Sequence, residues 1–319
     1  MKQYLMIGAA VLLMTTATGF KAYDGGAETA SYAETTSQAG LAYTKYKFNC
    51  NNFNALDLGY TVKARVVKSD TYKVEITLPT ELKQYLKVYV KDGELKIRMS
   101  EDFTGKIQRK YSNWTCTAEI AMPELRELEM SGASAFECDD TFDLGRKKFS
   151  LDLSGASKVK SLSVKAEELD AEVSGAASYK LSGDFSKAEL ELSGAAEGQL
   201  AINADYLELE ASGACKAKLN GDFGKIDLDS SGACEITLNG TADRLEVDAS
   251  GACNVRAMGL KAQDVFVDAT GGSNCSLNAE RSFTIENASG AATIKYKTPK
   301  DQGVNLKSIS RAATVKRVD

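Results

Sequence analysis

One tripeptide, repeated at nearly fixed intervals, constrains this chain more than any other feature. Ser-Gly-Ala begins at Ser131, Ser154, Ser174, Ser193, Ser212, Ser231 and Ser250, becomes Thr-Gly-Gly at Thr270, returns at Ser289 and fades to Ser-Arg-Ala at Ser310. The intervals are 23, 20, 19, 19, 19, 19, 20, 19 and 21 residues. A period near twenty means a solenoid, whose units are too small to fold alone and bury their apolar faces on their neighbours.

One unit shows which solenoid. Counting Ser193 as zero in SGAAEGQLAINADYLELEA, small or apolar residues fall at offsets 3, 5 and 7 (Ala196, Gly198, Leu200) and again at 14, 16 and 18 (Leu207, Leu209, Ala211). Strict alternation in two short stretches predicts two main strands per coil and no helix. The fold class expected is all-β: a right-handed parallel β-helix of about 19–20-residue coils, preceded by an N-terminal β-strand unit. The corner falls at Ser-Gly-Ala, where glycine supplies backbone angles that a β-carbon forbids. Gly132, Gly155, Gly175, Gly194, Gly213, Gly232, Gly251 and Gly290 are therefore structural turn residues. A second corner is expected at SGDF (182–185), NGDF (220–223) and NGTA (239–242).

Upstream, MKQYLMIGAAVLLMTTATGF has an early lysine, a short apolar run and then small residues, the layout of a secretory signal. Residues 1–22 are assigned to it, with cleavage after Gly19 or Ala22; no cysteine follows that would carry a lipid anchor. Residues 23–47, small and polar, read as a flexible leader. Residues 48–125 alternate with period two and carry Asp92-Gly93, a hairpin signal, so they form the N-terminal β unit, and the repeats occupy 126–319. No later segment can cross a bilayer as a helix, and the protein is expected in the periplasm or at the cell surface.

Three segments resemble those of the putative auto-transporter adhesin head GIN domain family, found in exported proteins of Bacteroidetes. They are Phe53-Asn-Ala-Leu56, VYVKDGELKI (88–97) and PELRELEMSGAS (123–134), followed by tandem Ser-Gly-Ala. The resemblance covers about 48 to 315 and implies a parallel β-helix of unknown biochemical role, adhesin-like by analogy. Unlike an auto-transporter, the chain shows no series of ten-residue alternating strands suited to an outer-membrane barrel.

The chain has 7 cysteines and no histidine, which excludes Ser-His-Asp and Cys-His catalysis. Cys215, Cys234 and Cys253 occupy offset 3, where other coils place Ala or Ser, so they read as small inward hydrophobes. A disulfide between adjacent rungs is sterically permitted, and a zinc site lacks a fourth ligand. Cys50 and Cys116 are the better disulfide candidates. Offsets 15 and 17 point outward and read Glu189/Glu191, Glu208/Glu210, Asp227/Asp229 and Glu246/Asp248. This stripe is either a cation-binding face or a solvated strand face helped by Lys187 and Lys225. The repeat breaks at 137–149, expected as a protruding loop with Asp139, Asp140, Asp143 and Arg146, and at 258–287, where Phe283 and Ile285 fall out of phase.

The net charge of −5, without a basic cluster, argues against nucleic acid. No cofactor is expected. The function expected is an exported, non-enzymatic binding or scaffold module recognising an extended glycan or protein. The alternative is a carbohydrate-active β-helix lyase or glycosidase using Asp and Glu.

Overall fold

The structure, a computed structural model, describes residues 30–38, 41–111, 114–301 and 303–318, so the secretory-signal assignment lies outside it. Seven long strands form the body: β12 (Lys158–Val173), β13 (Ser178–Leu192), β14 (Glu197–Ala211), β15 (Lys216–Ser230), β16 (Glu235–Ala249), β17 (Asn254–Ala269) and β18 (Asn274–Ala288). Each pairs in parallel with the next, in the register set by the repeat. The chain is a parallel β-solenoid. The two strands expected per coil run together, because the second corner is a bend inside one continuous ladder. A β-carbon on Gly221 would meet the Ile202 carbonyl oxygen at 1.7 Å, so adjacent bends stack backbone on backbone.

Alternation sends Cys215, Ala217, Leu219, Phe223, Ile226 and Leu228 inward, all nearly inaccessible, and their equivalents above and below complete one continuous core. Burial of each large aliphatic side chain contributes roughly 1.5–3 kcal/mol. Tyr179 also points inward, and its ring lies where a β-carbon on Gly198 would stand. Glycine in the next coil makes the room for it.

The main corner behaves as expected. The eight predicted glycines adopt φ between +67° and +84°, and Gly271 joins them at +69°. In each coil the amide after the glycine donates to the glycine carbonyl one rung earlier, as from Ala214 to Gly194 and from Ala233 to Gly213, at 2.7 Å. A β-carbon on Gly213 would sit 2.7 Å from the Gly194 oxygen. The column starts one coil earlier than the tripeptide, at Tyr60 (φ +70°), whose carbonyl accepts from Ala133.

That extra rung corrects the division at residue 125. Strands β3 (Ala55–Leu58) and β4 (Val62–Lys68) form a coil of the same solenoid. β3 lies between β7 (Glu94–Met99) and β9 (Glu127–Met130), all parallel. β4 lies between β8 (Cys116–Met122) and β10 (Ala135–Asp143), again parallel. The stacking order of coils therefore differs from chain order, since 55–68 is sandwiched between segments that follow it. Antiparallel strands close this end: β5 (Lys73–Pro79) on β8, β2 (Leu41–Phe48) on β5, β1 (Ala30–Gln38) on β2, and β6 (Leu86–Lys91) on β7 across the expected Asp92-Gly93 hairpin.

Three expectations are corrected. The 23–47 leader holds β1 and most of β2, with Tyr43 buried, because these strands add on to the antiparallel end of the sheet. The 137–149 break is strand β10, a turn, and the start of β11 (Lys148–Leu153) rather than a protruding loop. Its acids work separately: Asp140 accepts from the Lys68 amide at 2.8 Å, and Asp143 accepts from the Gly145 amide at 3.0 Å. Phe283 and Ile285 are fully buried, since register shifts between β17 and β18 restore their phase. β19 (Thr293–Lys297), β20 (Val304–Leu306) and β21 (Thr314–Arg317) continue the stack.

Candidate functional site

The second half of each coil alternates its side chains, so identical outward positions stack into columns. With Ile226 and Leu228 buried, Lys225, Asp227 and Asp229 face out, and their partners in neighbouring strands do the same. The predicted eight-carboxylate stripe thereby divides into two columns of different chemistry.

The column containing Glu189, Glu208, Asp227 and Glu246 is partnered. Lys187 pairs with Glu189, Arg244 with Glu246, and Lys225 reaches Asp227 at 2.9 Å and Glu246 at 3.0 Å. The Tyr206 hydroxyl donates to Asp227 at 2.7 Å and to Glu208 at 3.5 Å. Burial alone would push Asp227 up, but the Lys225 ammonium and the Tyr206 hydroxyl outweigh it and hold the carboxyl below its ordinary range. This column is a solvated strand face with its own counter-charges, as the lysines suggested.

The neighbouring column has none. Asp152, Glu172, Glu191, Glu210, Asp229 and Asp248 follow one another in register across six strands. None makes an ion pair closer than 4.0 Å with a basic group among the described residues. Burial, and then Glu172 and Glu210 on either side, push the Glu191 carboxyl up. Burial, then Asp268 and Asp229, do the same to Asp248, and burial raises Asp152. The two ends of the column are partnered differently, one by a neutral amide and the other by basic side chains. Asp268 accepts the Asn287 amide at 3.1 Å. At the other end Asp57, buried, takes Lys96 at 3.1 Å and Arg98, while Arg98 also reaches Glu129 at 3.3 Å. Asp57, Glu94 and Glu129 bring carboxylate oxygens within 4.8 Å of one another, but these two basic side chains already supply the positive charge there.

Five members of the unpaired column, Asp152, Glu172, Glu191, Glu210 and Asp229, form one wall of a groove of about 330 Å³. Ser174, Ser193, Ser212 and Ser231 of the corners form the other. A carboxylate and a hydroxyl thus recur at every rung, about 4.8 Å apart along the axis. Asp152 and Glu172 escaped the offset count because the coils beginning at Ser131 and Ser154 are longer. Counted backwards, every member lies two residues before the next corner, and that signal was in the sequence. A second groove, of about 440 Å³, is lined by Lys160, Lys180 and Lys218 together with Asp139, Gln199 and Asn220, so lysines predominate there where carboxylates do in the first.

The inward small-residue column is as expected, with Ser134, Ser157, Ala177, Ala196, Cys215, Cys234, Cys253, Ser273 and Ala292 buried. Cys215 and Cys234 bring their sulfurs to 2.9 Å. Cys50 and Cys116 are both buried in the core of the capped end, where burial pushes the Cys116 thiol up to about 12.

Comparison with known proteins agrees with this architecture. Among curated proteins none matches the chain. A solved structure described as a putative adhesin from Parabacteroides distasonis is similar, with a TM-score of 0.50, 18% identity, and coverage of 86% of this chain and 97% of that one. A putative adhesin from Parabacteroides merdae aligns at TM-score 0.43 and 19% identity, over 87% of this chain and 96% of that one. A protein described as a putative lipid binding protein, again from Parabacteroides distasonis, aligns at 0.40 and 18%, over 87% and 97%. The profile of the family described as putative auto-transporter adhesin, head GIN domain, matches residues 52–201 and 196–299. With most of its length matched, and with its corner column and capped coil order on view, this chain belongs to the head GIN domain family of putative auto-transporter adhesins.

Proposed function

We propose that the chain is an exported, non-enzymatic binding module that recognises an extended partner, a glycan or a protein strand, along the carboxylate-serine groove. One observation carries the reading. Five carboxylates lacking ion-paired counter-charges, Asp152 to Asp229, repeat at coil spacing beside a row of hydroxyls, and their mutual repulsion does nothing for the fold. A partner with donors or positive charges at a matching repeat would gain from every rung at once, as linked sites do. The family's adhesin description and the secretory-type residues 1–22 support placement outside the cytoplasm.

The test is a glycan and extended-peptide array probed with the mature protein, beside the variant Glu191→Gln/Glu210→Gln/Asp229→Asn. Retention of at least one extended ligand, weakened about tenfold or more by the variant, is the expected result. A ligand bound equally by both proteins would move recognition away from this groove. Turnover of an arrayed glycan would replace the binding module with the lyase or glycosidase reading. Calcium titration of the same pair reports whether a cation bridges the carboxylates.

A further inference from the structure

We propose that Cys215 and Cys234 form a disulfide that staples two adjacent coils from inside the solenoid, directly behind the groove. The corner column sets them one rung apart, since the Glu235 amide donates to the Cys215 carbonyl at 2.9 Å. Neighbouring parallel strands lie about 4.8 Å apart, inside the Cα separation of about 4.4–6.8 Å that a disulfide bridges. The two sulfurs are 2.9 Å apart. Nonbonded carbon atoms settle at about 3.5–4.0 Å and the larger sulfur needs no less, so this contact lies well on the way to a bond of about 2.05 Å.

The third thiol of the column is turned elsewhere. Cys253 lies 3.6 Å from the Gly232 carbonyl, with which it can form a weak hydrogen bond, whereas Cys234 faces Cys215 while also lying 3.3 Å from the Ser231 carbonyl. The geometry therefore selects one bond from the two that a three-thiol column permits. Cys275, buried at a different position of the following coil, stands outside the column.

The chemistry balances as thiol-disulfide exchange. A thiolate of the pair attacks the disulfide of a dithiol-disulfide donor and releases one donor thiol. The second cysteine then attacks the resulting mixed disulfide, releasing the other. Two thiols lose two protons and two electrons in all, and the donor disulfide is reduced to two thiols. Burial raises the Cys215 thiol well above its ordinary value in the closed coil, so exchange belongs to the open chain, before this rung is covered. Once closed, the core shields the bond from reductant.

The test uses the wild-type full chain, unfolded in denaturant with reductant and refolded in an oxidised/reduced glutathione buffer, which does not depend on where the protein resides. Free thiols are alkylated after a second denaturation and the protein is digested with trypsin. Lys216, Lys225 and Arg244 separate the three cysteines into different peptides. The expected result is a cross-link between the peptides of Cys215 and Cys234, about 2 Da lighter than their sum, reversed by reductant. Cys253→Ser should keep the cross-link and a folded circular-dichroism spectrum. Full alkylation of Cys215 and Cys234 in refolded protein would overturn the proposal, and so would a Cys234–Cys253 link. The same map reports on Cys50 and Cys116, whose bridging is a separate question.

Discussion

The glycine corners and the unpaired carboxylates run side by side up the same solenoid, three residues apart in each coil, as Glu191 and Gly194 are. Both repeat, yet for opposite reasons. At the corner, geometry leaves no alternative: φ is positive, and the neighbouring glycine carbonyl stands where a β-carbon would go. At the carboxylates the backbone would accept any strand residue, and like charges in register work against the fold. Repetition imposed by packing indicates architecture. Repetition that packing does not require is the feature on which the proposed binding face rests.

The comparison breaks most sharply at the corner. Gly213→Val places a side chain at φ +84° against a carbonyl oxygen at 2.7 Å, and should cost roughly 3 kcal/mol or more in urea unfolding. A cost below about 1 kcal/mol would show that the corner can slide.

Tyr60 sharpens the rule, being a rung where a residue other than glycine holds the positive φ of the corner. Its ring packs against Phe103 at 5.3 Å and Trp114 at 6.0 Å between centroids. Tyr60→Gly relieves the backbone but loses aromatic contacts worth about 0.5–1.5 kcal/mol each, so a net loss of about 1 kcal/mol is expected in the same assay. A gain in stability would mean that backbone strain outweighs ring packing there.

The smallest effect belongs to the carboxylates. Glu191, Asp152 and Asp248 hold their protons to higher pH in the fold than in the unfolded chain. Where the fold binds more protons, stability rises as pH falls through the folded-state values. Asp264 acts in the opposite sense. Hydrogen bonding to Arg281 and Ser282 lowers its carboxyl from 3.8 to about 2, and the stability it contributes fades only as pH falls through that interval. Melting temperature should therefore rise slightly as pH falls from neutrality towards the ordinary carboxylate range, before acid unfolding sets in. Glu191→Gln should raise the pH 7 value and flatten that rise, whereas a variant with an unchanged profile would disprove the self-repulsion.

Whatever the coil itself dictates was legible in the sequence: the period, the inward Leu and Ala positions, the corner glycines and the small column containing Cys215. The rest depends on neighbours that the pattern does not mark. Tyr60 hides a corner because aromatic packing replaces the glycine. Tyr43 reads as part of a polar leader until β5, on which its strand pairs, is in view. The two carboxylate columns look alike in sequence, since the difference lies in whether Lys225 or Tyr206 from an adjacent position reaches across to them. Asp152 and Glu172 were missed because counting forward from each corner accumulates the extra residues of the longer coils.

The interleaved order of the first coils also sets an order of assembly. Val62 pairs with Cys116 and Lys63 with Ala135, closures of 54 and 72 residues, whereas each later ladder closes over about one repeat. Such long closures are slow and entropically costly before any contact rewards them. The 55–68 coil must wait with both edges open until the chain as far as β10 has arrived. Each later coil needs only a neighbour one repeat away, so the solenoid body can nucleate at any rung and the capped end is its slowest part to close.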